Sequence, residues 1–288
     1  MWTPPKEIYQ HAYQNGYAVG TFNISNLETL RAIIAAAEVK RSPVVVATSK
    51  GEGDFIDYRI AAMMVKELAA KSTVPIGIHL DHGQSFEEVK GAIEAGYLSV
   101  HIDASALSLE ENIKITKQVV EYAAQHGVNV EGEVGHVGGS SSQHDTDEVS
   151  NIIGQEGLTN PEEAWHYAQE TGIDQLAIAI GNVHGVYAGE PHIDQQLLRE
   201  INQKVGLPLV LHGGSGIPAV QVQESLRQGI AKVNVNTELR MAYAHTLRET
   251  LNANPKLVTP YKIFSPVMTA IQQVVEDKIE TFGSSNQA

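Results

Sequence analysis

Short β-rich runs alternate with helically spaced segments from one end of this 288-residue chain to the other, and that rhythm limits the fold more than any other feature. Strands are expected at 17–24, 43–49, 75–81 and 99–105, then at 128–134, 175–181, 207–212 and 230–236. Between them apolar residues recur at helical spacing, as in Ile60, Met63, Met64 and Leu68, or Phe86, Val89 and Ile93. Gly96, Gly127, Gly172 and Gly206 stand where helices would end in the left-handed conformation. Asn160-Pro161-Glu162 has the form of a helix start. Eight strand–helix units with no break in composition predict one α/β domain over residues 1–288, a (β/α)8 TIM barrel with an additional C-terminal helix. A doubly wound open sheet is the main alternative. The C-terminal helix (Val267, Ile271, Val274, Ile279, Phe282) could serve a subunit interface or the barrel's own packing. Only 138–157 breaks the rhythm. It is long, polar and without period, leaves the end of the fifth strand, and reads as a mobile active-site loop.

Composition removes several function classes. There is no cysteine, so disulfides, thiolate metal sites and thiol nucleophiles are excluded, and any metal site must use His, Asp and Glu. A formal charge of −14 with no basic stripe argues against a nucleic-acid partner. No apolar run approaches the roughly 20 residues of a membrane span, and MWTPPKEIYQ lacks the form of a signal peptide. A cytoplasmic protein without a membrane partner is expected.

The chemistry gathers at the strand ends. His82 in HLDHG, His184 in IAIGNVHG and His212 in LVLHGGSG each stand beside a glycine where a strand runs out. Imidazoles brought together from separate strands build an open metal site with room for substrate. Asp81 adjoins His82, and Asp103 and Glu133 lie at two further strand ends. His101, Asp103 and Ser105 share one strand face, as do Glu131 and Glu133. Such inward carboxylates need a cation or a hydrogen-bond partner. An internal salt-bridge cluster would satisfy them, but inward-facing Lys and Arg look scarce, which favours a divalent metal. His11, His126, His144, His166, His192 and His245 read as surface residues. Gly213-Gly214-Ser215-Gly216, before a helix opened by Pro218, and the run Asn234, Val235, Asn236 and Thr237 one strand later suggest a phosphate site. These residues point to a metal-dependent barrel enzyme acting on a phosphorylated small molecule. Isomerase, epimerase, aldolase and hydrolase would share these features.

The runs TFNISNLET, HLDHG, SVHIDAS, VEGEVGHVGG, IAIGNVHGVYAGEP, LVLHGGSGIP, AKVNVNTELR and FGSS together resemble the class II ketose-bisphosphate aldolases. The resemblance implies a zinc-dependent barrel that reversibly cleaves fructose 1,6-bisphosphate to dihydroxyacetone phosphate and glyceraldehyde 3-phosphate through a zinc-stabilised enediolate. Tagatose 1,6-bisphosphate, a ketose with no phosphate on its aldehyde half, or a metal-binding barrel without turnover are the alternatives. It further implies that His82, His184 and His212 bind zinc, that Asp81 is the acid/base at the C4 hydroxyl, and that Asp103 and Glu133 hold an alternative metal or a second divalent or monovalent cation. Gly185, Gly213, Gly214, Ser215 and Asn234, Val235, Asn236 and Thr237 would hold dihydroxyacetone phosphate. Asn23 and Ser49 would touch substrate, Ser49 on the side of the aldehyde phosphate. A homo-oligomer, dimer or tetramer, is implied as well. Three departures stand out. Ser140, Ser141 and Ser142 replace the acidic residues usual after VGG, with Asp145, Asp147 and Glu148 arriving later. Tyr261 stands where an arginine is usual, with Lys262 beside it. SKGEGDF at 49–55 differs from the SPGAIKY-like run of many relatives, so Lys50 could supply a missing positive charge.

Overall fold

A computed structural model describes residues 1–148, 157–188 and 191–288. Strands β1 (Val19–Asn23), β2 (Val44–Ser49), β3 (Ile76–Gly83), β4 (Ser99–Ile102), β5 (Asn129–Val134), β6 (Gly139–Glu148), β7 (Gln175–Ile178), β8 (His184–Ala188), β9 (Leu209–Leu211) and β10 (Ile230–Val235) follow one another along the chain. All but β6 and β8 form a closed parallel barrel in the order β1-β10-β9-β7-β5-β4-β3-β2. Closure is made by β1 on β10, from Val19 opposite Lys232 to Phe22 opposite Val235, which rules out the open sheet. Each of the eight expected strands falls on a barrel strand, because runs buried on both faces read as continuous apolar segments.

Helices α1 (Pro5–Asn15), α2 (Leu27–Lys40), α3 (Lys50–Ile56), α4 (Tyr58–Ala69), α5 (Phe86–Ala95), α6 (Leu109–His126), α7 (Pro161–Thr171), α8 (Gln195–Val205), α9 (Ala219–Leu226), α10 (Thr237–Ala253) and α11 (Pro260–Thr281) complete the fold. The glycine stops behave as expected: Gly96, Gly127, Gly172 and Gly206 have φ of 104, 67, 69 and 66°. The Asn160 side chain accepts from the Glu162 and Glu163 N–H groups and starts α7. Helix α1 packs under the N-terminal end of the barrel, where Ile8, Tyr9 and Ala12 cluster with Val19, Val45 and Ala231. Helix α11 packs on α2 and α10 with Val267, Ile271, Val275 and Ile279 buried, so its apolar face belongs to the barrel's own packing. Among the described residues no helix is long and apolar enough to cross a membrane.

The 138–157 segment departs from a structureless reading. Its first half is β6, which pairs in parallel with β8 outside the barrel, Gly139 opposite His184. A polar run of serines and aspartates carries little β propensity, so its strand character was not visible in the sequence. Residues 149–156 of that expected loop lie outside the described residues, as do the side chains of Ser140, Ser141, Ser142, His144, Asp145, Asp147 and Glu148.

The barrel interior also corrects the expectation that inward-facing cations are scarce. Lys232 on β10 is fully buried, with Nζ 2.6 Å from Glu131 Oε2 and 3.0 Å from His79 Nε2. Gln175 donates to the same carboxylate, and His79 Nδ1 meets Ser99 Oγ at 2.8 Å. Glu131 thus has an internal salt bridge and needs no metal. Removing one partner of a buried ion pair typically costs about 3–5 kcal/mol, because the other charge is left uncompensated. Lys232→Met is expected to lose stability on that scale in urea or guanidinium unfolding; a loss below about 1 kcal/mol would show that Glu131 does not depend on this lysine.

Candidate active site

Three of the expected ligands converge at the C-terminal mouth of the barrel. In a regular strand Asp81 and His82 would point to opposite faces. A register shift between Leu80 and Gly83 in the β3–β4 pairing, with His82 at φ 56°, breaks that alternation and lets both address the mouth. His184 opens β8, and His212 follows β9. The His82 ring lies 4.8 Å from that of His184 and 4.5 Å from that of His212, centroid to centroid.

Each of these imidazoles has one nitrogen tied to a protein acceptor and the other turned inward. His82 Nδ1 lies 3.0 Å from Asp103 Oδ2, His184 Nδ1 donates to the Val137 carbonyl at 3.0 Å, and His212 Nε2 lies 2.8 Å from Glu131 Oε1. Carbonyl and carboxylate oxygens accept, so the tied nitrogens carry the protons. The remaining three, Nε2 of His82, Nε2 of His184 and Nδ1 of His212, are then the lone-pair nitrogens. Two of them stand 3.1 Å apart, and the third is buried with no hydrogen-bond partner among the described residues. Lone pairs held this close need a cation between them, and fixing each metal-bound imidazole through its other nitrogen is the usual second layer of a metal site. The donors fit a divalent metal.

Protonation follows the same logic. Burial, then the charge on His82, lowers His184 to about 4 and His212 to about 3. On His82 burial is outweighed by Asp81 and the Asp103 hydrogen bond, and the imidazole rises to about 9.

Asp81 is buried and held from both sides. Asn234 Nδ2 donates to Oδ1 at 2.7 Å and Asn23 Nδ2 to Oδ2 at 3.0 Å. Burial alone would raise this carboxyl, but His82, His212, Lys232 and His79 together hold it below the ordinary carboxylate range. Glu133 behaves in the opposite way: burial, then the neighbouring Asp103, push it up to about 8. Asp103 and Glu133 come together with His82 and His101, whose ligand atoms all lie within 4.8 Å of one another. His101 also joins Asp81, His82 and His212 in a second such group. Sequence reading left His101 outside the ligand set. It is fully buried, with neither ring nitrogen hydrogen-bonded among the described residues, and the signal was its shared face with Asp103. Lys232 and His79 were also missed, although Lys232 shares a strand face with Asn234.

Of the expected residues, Asn23, Asp81, His82, His184, Gly185, His212, Gly213, Ser215, Asn234, Asn236 and Thr237 line one small cavity, whereas Gly214 and Val235 do not. Gly213 has φ 63°, and a Cβ there would lie 2.0 Å from the Val183 carbonyl oxygen, so only glycine fits. Two N–H groups of the glycine run are already used, Gly214 donating to Asn234 O at 2.9 Å and Gly216 to the Glu238 carboxylate at 2.8 Å. Val235 is fully buried in β10. Ser49 sits opposite Asp81 in the β2–β3 register, but its N–H and hydroxyl are given to Glu52 at 2.9 and 3.0 Å. Lys50 pairs with Asp54 on the surface, and Tyr261 is 74% exposed on α11, so neither faces this cavity. His11, His126, His166, His192 and His245 are exposed, as expected.

Comparison with known proteins agrees with this arrangement. The family model for "Fructose-bisphosphate aldolase class-II" matches residues 3–287. A Bacillus subtilis protein named "Probable fructose-bisphosphate aldolase" is 46% identical over 285 residues, covering 98% of each chain. The fructose-bisphosphate aldolase of Staphylococcus epidermidis is 44% identical over 286 residues, again with 98% of each covered. Among solved structures, the YdjI aldolase of Escherichia coli K12 superposes with a TM-score of 0.85 at 32% identity, covering all of both chains. The chain belongs to the class II fructose-bisphosphate aldolase family, whose members are metal-dependent lyases.

Proposed function

We propose that this protein is a zinc-dependent aldolase that reversibly cleaves fructose 1,6-bisphosphate to dihydroxyacetone phosphate and glyceraldehyde 3-phosphate. The observation that carries the reading is the set of three inward imidazole nitrogens, each fixed by a partner on its far side, next to a carboxylate clamped by two amides. His82, His184 and His212 would hold the zinc. Bound there, a divalent metal supplies Lewis-acid polarisation of the substrate carbonyl. Asp103 and Glu133, with His101, would take a second divalent or monovalent cation.

In the cleavage direction the Asp81 carboxylate accepts the proton of the C4 hydroxyl. The C4–O bond becomes a carbonyl as C3–C4 breaks, and the electron pair passes to the C2 carbonyl, leaving the enediolate of dihydroxyacetone phosphate. Asp81 suits this step because its environment keeps it ionised, while Asn23 and Asn234 fix the direction of its oxygens. The dihydroxyacetone phosphate half would lie along Gly185, Gly213, Gly214, Ser215 and the run Asn234 to Thr237. The Gly213 and Ser215 N–H groups and the start of the 17-residue α10 are the natural anion donors. The described part of the 138–157 segment, β6, runs beside His184 and would border this mouth. A cytoplasmic homo-oligomer is the cellular form proposed.

Asp81→Asn is expected to lower kcat by roughly 10²–10⁴-fold with zinc still bound, as measured by a coupled assay and metal analysis. Near-normal turnover would exclude Asp81 from proton transfer. Exhaustive treatment with a chelator is expected to abolish cleavage and added zinc to restore it. Full activity in protein verified free of metal would overturn the reading.

A further inference from the structure

Among the described residues Glu52 is the most heavily hydrogen-bonded carboxylate near the mouth, and the proton transfer above does not use it. It is 6% exposed, on the first turn of α3, one element away from Asp81. Its Oε2 accepts from the Ser49 N–H at 2.9 Å, the Ser49 hydroxyl at 3.0 Å and Asn23 Nδ2 at 2.9 Å. Its Oε1 accepts from Arg240 Nη2 at 2.7 Å and Asn236 Nδ2 at 3.3 Å. The Ser49 contacts are a capping box and would start α3 wherever that helix lay. The contacts from Asn23, Asn236 and Arg240 have no part in capping. They come from β1, the barrel neighbour of β2, and from the start of α10, which follows β10 on the other side of β1. A main-chain N–H, a hydroxyl, two amides and a guanidinium converging on one point form a cradle for an anion.

The position of the cradle gives it a meaning for the substrate. Asn23 Nδ2 is shared between Asp81 and Glu52, so the cradle begins where the C4 hydroxyl would meet Asp81. From there a cavity of about 400 Å³ opens away from the histidines, lined by Asn23, Ser25, Asn26, Asn236, Arg240 and Tyr243 among others. A ketose with its phosphorylated three-carbon end at the metal would send its other carbons into this cavity. There it would meet amides and hydroxyls, the apolar Phe55 and Leu239, and the Arg240 guanidinium already paired with the protein's own Glu52 carboxylate.

We infer that Glu52 occupies the anion position for the distal end of the substrate, so that the enzyme also cleaves ketose 1-monophosphates whose aldehyde half is uncharged and hydroxylated. A second phosphate brought to the same donors must displace Glu52 or lie against it, and like charges so placed discriminate against that ligand. The inference rests on the aldolase reading above and adds the distal specificity to it.

The test compares fructose 1-phosphate with fructose 1,6-bisphosphate on the zinc-loaded enzyme. The wild type is expected to have a kcat/KM for the monophosphate equal to or above that for the bisphosphate. Glu52→Ala, which frees the donors, and Glu52→Gln, which removes the charge and turns one acceptor oxygen into an NH2 donor, are each expected to shift the ratio toward the bisphosphate by about 10- to 100-fold. A wild-type preference of tenfold or more for the bisphosphate, or variant ratios within twofold of wild type, would overturn the inference. Calorimetric binding of both sugars to the zinc-loaded Asp81→Asn variant, whose turnover is slowed, reports the same preference as a Kd ratio. Loss of aldolase activity and loss of this preference are therefore read separately, and the wild-type ratio decides even if a variant fails to fold.

Discussion

The bond between His212 Nε2 and Glu131 is the contact on which the mouth of the barrel depends. It fixes which nitrogen of His212 carries the proton and therefore which one faces the other two imidazoles. Glu131 can do this only because Lys232 neutralises it at 2.6 Å, inside a barrel closed by β1 and β10 and sealed below by α1. The cation absent from a reading of the strand ends thus lies one layer deeper. It serves the carboxylate that orients a ligand, and a ligand needs that support because a free imidazole has two equivalent ways to present itself.

Two carboxylates a few residues apart in the fold are driven in opposite directions by their neighbours. Asp81 faces imidazoles and two amide donors and stays ionised; Glu133 is raised by its burial and then by Asp103. Separating the properties of like groups by environment is how one site assigns a base and a reserve of negative charge for a cation. The irregularity in β3 is what makes the first assignment possible, since a straight strand would send Asp81 and His82 to opposite faces. The backbone at His82 is held left-handed at the place where it aims a side chain.

The barrel was legible because its strands are continuous apolar runs and its helices stop on glycine. His82, His184 and His212 were legible because each ends such a run beside a residue without a side chain. His101, His79, Glu131 and Lys232 were harder to read. Inward residues of a closed barrel alternate with outward ones, and a single buried lysine on β10 looks, in sequence, like any polar residue in a strand. Strand β6 was invisible for another reason: it pairs outside the barrel and takes its form from β8 more than from its own serines and aspartates. Glu52 reads as an ordinary capping residue, and only the fold brings Arg240 and Asn236 to its second oxygen.

The central claim is that three imidazoles, each held from behind, share one metal. Anomalous diffraction at the zinc absorption edge from zinc-loaded crystals tests it most directly. The account predicts a peak bounded by Nε2 of His82, Nε2 of His184 and Nδ1 of His212, with Asp103, Val137 and Glu131 still on their outer nitrogens. A principal peak on His101 and Glu133 instead, or the absence of any peak among the three histidines, would contradict it.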